Sequence, residues 1–237
     1  MKKPLIIAID GPSASGKGTV AKKIAAHFNL PYLNTGALYR LIAFRVIMQK
    51  IDVAQFGNAQ NFNAESMSEN IANSASAIEF HNLLDSLTQN ILESELENED
   101  LFGEDVGAVA SVVAKNPLLR HKLFAFQQEF IANGSRVQGG AVLDGRDTTT
   151  VICPNASYKF FITAAVEIRA QRRFSQLKKQ GKNITYEEIL AQLKKRDEND
   201  SSRKDSPLLI AEDAIVIDNG NLSIAEGFEK ILGYIKM

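Results

Sequence analysis

Residues Gly11 to Thr19, reading G-P-S-A-S-G-K-G-T, constrain this chain more than any other stretch. They follow a short apolar run, Leu5 to Ile9, and precede a helix-like segment, Val20 to Phe28. A glycine-rich loop between a buried strand and a helix N-terminus is a phosphate cradle. Its backbone N–H groups and the positive end of the helix dipole face a polyphosphate. Lys17 would reach the outer phosphates. A flexible Gly/Ser turn has no use for that lysine. Gly11, Pro12, Ser13, Ala14, Ser15, Gly16, Lys17, Gly18 and Thr19 are therefore the candidate loop residues. In the general form of the motif Ser or Thr directly follows the Lys, whereas here Gly18 intervenes before Thr19.

A chain of 237 residues can bury one core and carry a sizeable insertion. Its formal net charge of -1 gives no global field favouring nucleic-acid polymers or membrane surfaces. A nucleotide-sized anion needs only a local group of cations. Cys153 is the one cysteine, so an intramolecular disulfide is impossible and a reducing cytoplasm is the expected setting. Lys2 and Lys3 ahead of Leu5 to Ile9 have the look of a signal peptide. The apolar run is too short for one, and no segment approaches the roughly 20 apolar residues of a membrane span. A soluble protein is expected.

Short apolar runs without polar alternation suit parallel strands covered on both faces. They fall at Leu5 to Ile9, Tyr32 to Leu33, Ala141 to Leu143, Tyr158 to Ile162 and Ala214 to Ile217. Helical patterns separate them: Lys17 to Asn29, Gly36 to Gln49, Pro117 to Ala132, Val166 to Lys179, Tyr186 to Asp197 and Ile224 to Ile235. Leu119, Leu123, Phe126 and Phe130 recur at helical spacing, and Pro117 suits a first turn. Ser223 and Glu226 form a capping-box pattern. The polar run Asn58 to Ser76 is weakly periodic and reads as partly loop. The expected fold is a doubly wound parallel α/β sheet in three layers, which binds ligands at the carboxyl ends of its strands.

Charge is unevenly distributed. No Lys or Arg occurs from Ile51 to Ala114, while Lys159 to Lys204 is rich in both. Asp144, Arg146 and Asp147 end an apolar run and would sit beside the phosphate loop; three charges there are not buried without partners. Thr35 can cap the helix that carries Arg40. Arg169 with Arg173, and Arg196 with Asp200, each share a helical face. Phosphoryl transfer needs in-line positioning and cations around a highly charged phosphoryl group, and an arginine-rich helical hairpin that closes over the loop supplies both. The lysines of this hairpin, Lys178, Lys179, Lys194 and Lys195, read as solvated surface. His27, His81 and His121 have no partner at metal or triad spacing, and no metal site is expected.

In this order the segments G-K-G-T, T-G-A-L-Y-R, D-G-R-D, E-x-R-A-x-R-R, R-D-x-x-D-x-x-R and the closing I-V-I-D resemble the bacterial cytidylate kinases over almost the whole chain. These are P-loop nucleoside monophosphate kinases. The resemblance implies one P-loop kinase domain over residues 1–237, with a nucleotide-monophosphate-binding insertion at about 52–105 and a lid at about 166–203. It implies Mg-ATP as donor and CMP or dCMP as acceptor, on a monomer that binds neither nucleic-acid polymers nor membranes.

Carried over by position, Gly11 to Thr19 would bind the ATP phosphates. Arg40, Arg146 and Arg203 would hold the CMP phosphate, and Arg196 and Asp200 the ribose. Thr35, Ser111, Arg120 and Asp147 would face the nucleoside. Lys17, Arg40, Arg146, Arg169, Arg173 and Arg203 would neutralise the charge that develops in transfer. Magnesium, Mg2+, would be held mainly by phosphates and water. The chain departs from the family's usual pattern at several positions. Ala14 stands where a further Gly is common, a mild change if φ there stays negative. Asn34 replaces a common Asp, Thr148 and Thr149 replace a frequent Met-Gly, and Leu101 to Gly103 lacks an arginine often found there.

Overall fold

A computed structural model describes residues 3–57 and 75–236. It divides into two compact units, Met1–Asn34 with Glu129–Met237, and Thr35–Gln128. The polar run expected to be partly loop lies mostly on residues 58–74, outside the described ones, and its last two residues open a helix.

The first unit is built on five strands, β1 (Leu5–Asp10), β2 (Tyr32–Asn34), β3 (Gly140–Gly145), β4 (Tyr158–Thr163) and β5 (Ile215–Asp218). All pair in parallel, in the order β2-β3-β1-β4-β5. Helix α1 (Lys17–Phe28) returns the chain from the central strand to β2. On one face Ile7, Ile9, Val142, Phe160, Ile162 and Ile217 pack with Val20 and Ile24 of α1 and with Ile231 and Ile235 of the C-terminal segment. The alternate residues Ile6, Ala8, Ala141 and Leu143 are buried as well. Here the helix that ends at Val137 comes close. A β-carbon at Gly134 would lie 2.8 Å from Pro31 Cγ and 3.3 Å from Ala141 Cβ. Both faces being covered explains strands that are apolar throughout. The unit is a three-layer α/β fold, as its sequence pattern predicts.

The second unit carries α2 (Thr35–Met48), α3 (Ala54–Gly57), α4 (Ala75–Thr88), α5 (Glu104–Val113) and the first part of α6 (Pro117–Val137). Leu38, Ile42, Phe56, Leu84, Leu87, Leu101, Leu119 and Leu123 are among its fully buried side chains. Asn116 caps α6, its Oδ1 accepting from Leu119 N at 2.9 Å while its Nδ2 donates to the Phe56 carbonyl at 3.3 Å. Pro117 takes the first helical position, where its missing N–H costs nothing. The buried stripe of α6 departs from expectation. Gln127, not Phe126, is buried, its Nε2 donating to the Leu123 carbonyl at 2.9 Å. Helix α2 begins at Thr35 itself, so the cap position falls one residue earlier than the sequence suggested.

The first unit continues with α7 (Val166–Lys179), α8 (Tyr186–Ser201) and α9 (Ile224–Leu232). Ala170, Leu177, Ile189 and Leu193 hold α7 and α8 together as a hairpin. Thr185 and Glu188 form a capping box at the start of α8, as Ser223 and Glu226 do at α9.

Candidate active site

The carboxyl ends of β1 and β3 set the first group of charges. Asp10, the last residue of β1, is fully buried and accepts from Thr148 N at 2.9 Å, Thr149 N at 2.7 Å and Thr149 Oγ1 at 2.6 Å. Burial pushes its carboxyl up despite those three bonds. The donors come from a π-helical turn, Thr148–Ile152, that follows D-G-R-D. Thr148 and Thr149 are thus the residues that satisfy the strand-end carboxylate. Cys153 lies just beyond this turn, its thiol pushed up to about 12 by burial and then by the Asp10 and Asp147 charges.

The candidate phosphate loop, Gly11 to Thr19, runs into α1, which Gly16 caps at φ 88° without a side-chain hydrogen bond. The backbone N–H groups of the first turn are the ones a ligand would use. Lys17 is folded back, Nζ donating to the Pro12 carbonyl at 3.3 Å. Burial and then the Arg146 charge push its ammonium down to about 7, with Asp144 opposing. Ser15 Oγ is buried and has no hydrogen-bond partner among the described residues. Ala14 adopts φ 60°. The condition for a mild change, a negative φ, is therefore not met. The residue occupies the left-handed region, at a cost of about 1–2 kcal/mol for a side chain with Cβ, and its methyl packs against the α7–α8 cluster.

Arginines converge on this loop. Arg146 Nε donates to Asp200 Oδ2 at 2.7 Å, and its Nη2 donates to Ser13 Oγ at 2.7 Å. Arg203 donates to the other oxygen of Asp200. Burial alone would raise the Asp200 carboxyl, but Arg146, Arg203 and Arg196 outweigh it and hold it below the usual carboxylate range. Arg169 reaches the loop from α7, with Nη1 on the Ser13 carbonyl at 3.1 Å and a two-pronged pair to Asp197 at 3.2 and 2.6 Å. At the end of β3, Asp144 accepts from Tyr32 Oη at 2.5 Å and faces Gly18, whose β-carbon would lie 3.7 Å from the carboxylate. Burial, reinforced by Asp144, pushes the Tyr32 phenol up. The first unit therefore unites the glycine-rich loop with three fixed arginines and a buried acidic partner.

A family model described as cytidylate kinase matches residues 7–237. The cytidylate kinase of Xanthobacter autotrophicus is 40% identical over 232 residues, covering 98% of this chain and 97% of its own length. That of Bartonella bacilliformis is 41% identical over 225 residues, covering 95% and 91%. The chain belongs to the cytidylate kinase family. It is thus a nucleoside monophosphate kinase, a phosphotransferase that uses ATP.

As a member of the cytidylate kinase family, the chain carries its remaining expected site residues in two places. Asp147 is buried in the first unit, with Arg196 half-buried on α8 and Arg173 half-buried on α7, where its Nη1 donates to Gln176 Oε1 at 3.1 Å. Thr35, Arg40, Ser111 and Arg120 belong to the second unit. Arg40 Nη1 donates to the carbonyls of Leu101 at 2.7 Å and Gly103 at 3.2 Å, and its guanidinium lies 5.6 Å from the Phe102 ring centroid. Arg120 donates to the Ala114 carbonyl at 3.2 Å and lies 5.4 Å from the Tyr39 ring. Ser111 donates to the Gly107 carbonyl one turn back in α5 at 3.1 Å. Among the described residues no three His, Cys, Asp or Glu side chains are grouped to hold a metal, and no helix is long and apolar enough to cross a membrane.

Sequence reasoning passed over several groups at this site. Tyr32 read only as strand. Asp197 is separated by 28 positions from Arg169. Arg172, which donates to the Asn219, Gly220 and Leu222 carbonyls, had no signal beyond its place in an arginine run.

Proposed function

We propose that this member of the cytidylate kinase family transfers the γ-phosphoryl group of Mg-ATP to CMP or dCMP, giving the diphosphate and ADP. Residues Gly11 to Thr19 hold the donor phosphates, with Lys17 on the outer ones. The folded-back Lys17 and the Ser15 hydroxyl, which has no partner among the described residues, fit a loop made for a polyanion. Magnesium would arrive on the nucleotide phosphates with its water and supply charge neutralisation there. The acceptor is itself a phosphate anion, so no general base is needed. In-line placement and cations do the work.

On the acceptor side, Arg40, Arg146 and Arg203 hold the CMP phosphate, Arg196 and Asp200 the ribose, and Thr35, Ser111, Arg120 and Asp147 the nucleoside. Arg169 and Arg173 add charge as the α7–α8 hairpin closes. Asp147 and Arg120 suit cytosine, which offers a 4-amino donor beside N3 and O2 acceptors. Uracil reverses the sense at positions 3 and 4 and would leave both charges mismatched. The observation that carries the reading is the Arg146–Asp200–Arg203 group joined to the phosphate loop through Ser13. A protein that only binds ATP needs no second set of phosphate-binding arginines. Release of ADP should be measured with CMP, dCMP, UMP, AMP and shikimate as acceptors. Turnover confined to CMP and dCMP is expected; strong preference for any other acceptor overturns the proposal.

A further inference from the structure

Asn219 follows β5 and is 4% exposed. Its backbone is fixed at both polar groups. The N–H donates to the Thr163 carbonyl at 2.8 Å, and its own carbonyl accepts from Arg172 at 2.7 Å. The side chain turns towards the phosphate loop, where Nδ2 donates to the Ser15 carbonyl at 2.9 Å. Its Oδ1 is buried and has no hydrogen-bond partner among the described residues.

Two glycines flank this carboxamide. A β-carbon at Gly16 would lie 2.7 Å from Nδ2, and one at Gly227 would lie 2.7 Å from Oδ1. Gly16 is already demanded by its φ of 88°. Gly227 has no such excuse. It lies inside α9, where Gly is the poorest helix former apart from Pro. The space beside Asn219 is a physical reason for it. A polar group is being accommodated against the local preference of the helix.

The peptide joining Ser15 to Gly16 is planar and trans, so its N–H points opposite to its carbonyl. Anchoring the Ser15 carbonyl on Asn219 turns the Gly16 N–H away from β5. That amide stands at the N-terminus of α1, among the groups available to an anion. We propose that Asn219 is a positioning residue for the phosphate loop, aiming the Gly16 amide at the donor nucleotide, and that Gly227 exists to admit its carboxamide. The proposal rests on the reading that Gly11 to Thr19 binds ATP phosphates.

The test compares Asn219→Ala, Asn219→Asp, Gly227→Ala and the Asn219→Ala/Gly227→Ala double variant by steady-state kinetics and by calorimetric titration with ADP. Asn219→Ala should raise KM for ATP and Kd for ADP about tenfold while KM for CMP stays within about twofold. Asn219→Asp keeps the shape but sets an acceptor against the Ser15 carbonyl, and should weaken ADP at least as much. Gly227→Ala should also weaken ADP, although alanine is the better helix former. In the Asn219→Ala background the same change should leave ADP affinity unaltered and raise Tm. Equal shifts in the ATP and CMP constants, or a Gly227→Ala effect of the same size in both backgrounds, overturn the proposal. If the unsubstituted protein does not bind ADP at all, the parent reading of the loop falls, and this one with it.

Discussion

Arg146 divides its guanidinium among the Asp200 carboxylate, the Ser13 hydroxyl and the carbonyl of its chain neighbour Gly145, whereas Arg40 directs one nitrogen to the carbonyls of Leu101 and Gly103, 61 and 63 positions away. Both arginines are proposed for the acceptor phosphate. Beyond its own neighbour, the first is held by side chains, which can rearrange when an anion arrives. The second is tied to main chain, so that moving it loosens the backbone between two helical segments. One lesson is that an arginine's partners decide what its loss does. Removing Arg146 leaves a nearly dry carboxylate with one cation fewer, while removing Arg40 takes a donor from the Leu101 carbonyl and leaves Gly103 its bond from the Gly107 N–H.

The sharpest break of this contrast is Arg146→Ala. With the transition-state role proposed for Arg146, its loss is expected to lower kcat/KM for CMP by about a thousandfold. The weakened Asp200 should also lower stability by about 3 kcal/mol, read by urea unfolding. Arg40→Ala is expected to lower kcat/KM by about a hundredfold, mostly through KM for CMP. Hydrogen exchange should speed up at Leu101 to Gly103 in that variant and not in Arg146→Ala. If the exchange pattern is the same in both, the distinction between side-chain and main-chain anchoring is wrong.

A pH titration sharpens the same contrast through Lys17. Its ammonium is depressed to about 7 in the free protein, and nucleotide phosphates would raise it. ATP binding should therefore take up a proton above that pH, and affinity should fall by about tenfold per pH unit as pH rises beyond about 7. Because the Arg146 charge helps to lower Lys17, Arg146→Ala should move the onset of this fall to higher pH. Arg40→Ala should leave it in place. Calorimetry in buffers of different ionisation enthalpy reads both. The linkage to folding has a definite sign. Between about 7 and the ordinary value of 10.5 the unfolded chain keeps a proton that the folded chain has lost, so this group's contribution to stability rises with pH across that window.

The smallest expected effect lies at the π-helical turn. Thr149→Val removes the hydroxyl bond to Asp10 and should cost about 1–2 kcal/mol. Thr148 serves Asp10 through its amide alone, and its buried hydroxyl has no partner among the described residues. Thr148→Val should be neutral or slightly stabilising in thermal unfolding. A larger loss there than at Thr149 would contradict the assignment of hydroxyl roles.

Much of this architecture is legible in the residues themselves, for reasons that differ along the chain. All five strands lie where short apolar runs predicted them, with ends displaced by only one or two residues. Covered parallel strands leave an unmistakable pattern. The helix Glu104–Val113 escaped notice because a run of small and β-branched residues in an acidic stretch carries no strong helical signal. Phe126 lost its place in the core to Gln127 because a buried amide can bond to its own helix, which periodicity does not register. At the site, the strand-end charges Asp144, Arg146 and Asp147 announced themselves, since unpartnered charges are not buried there. The pairing of Arg169 with Asp197 and the wedge at Asn219 did not. Both depend on which distant elements the fold brings together, and no local motif encodes that.

The Ala14 methyl gives the glycine-rich loop a foothold in a hydrophobic cluster otherwise made by α7, α8 and Ile184 between them. Loop and hairpin consequently share an energetic boundary. Should nucleotide fix the loop in its left-handed bend, as the proposed function requires, it would also bias the hairpin, and a hairpin held in one posture would, by reciprocity, alter the loop's affinity for nucleotide to the same degree. One methyl group would then make the proposed grip and closure two readings of a single equilibrium.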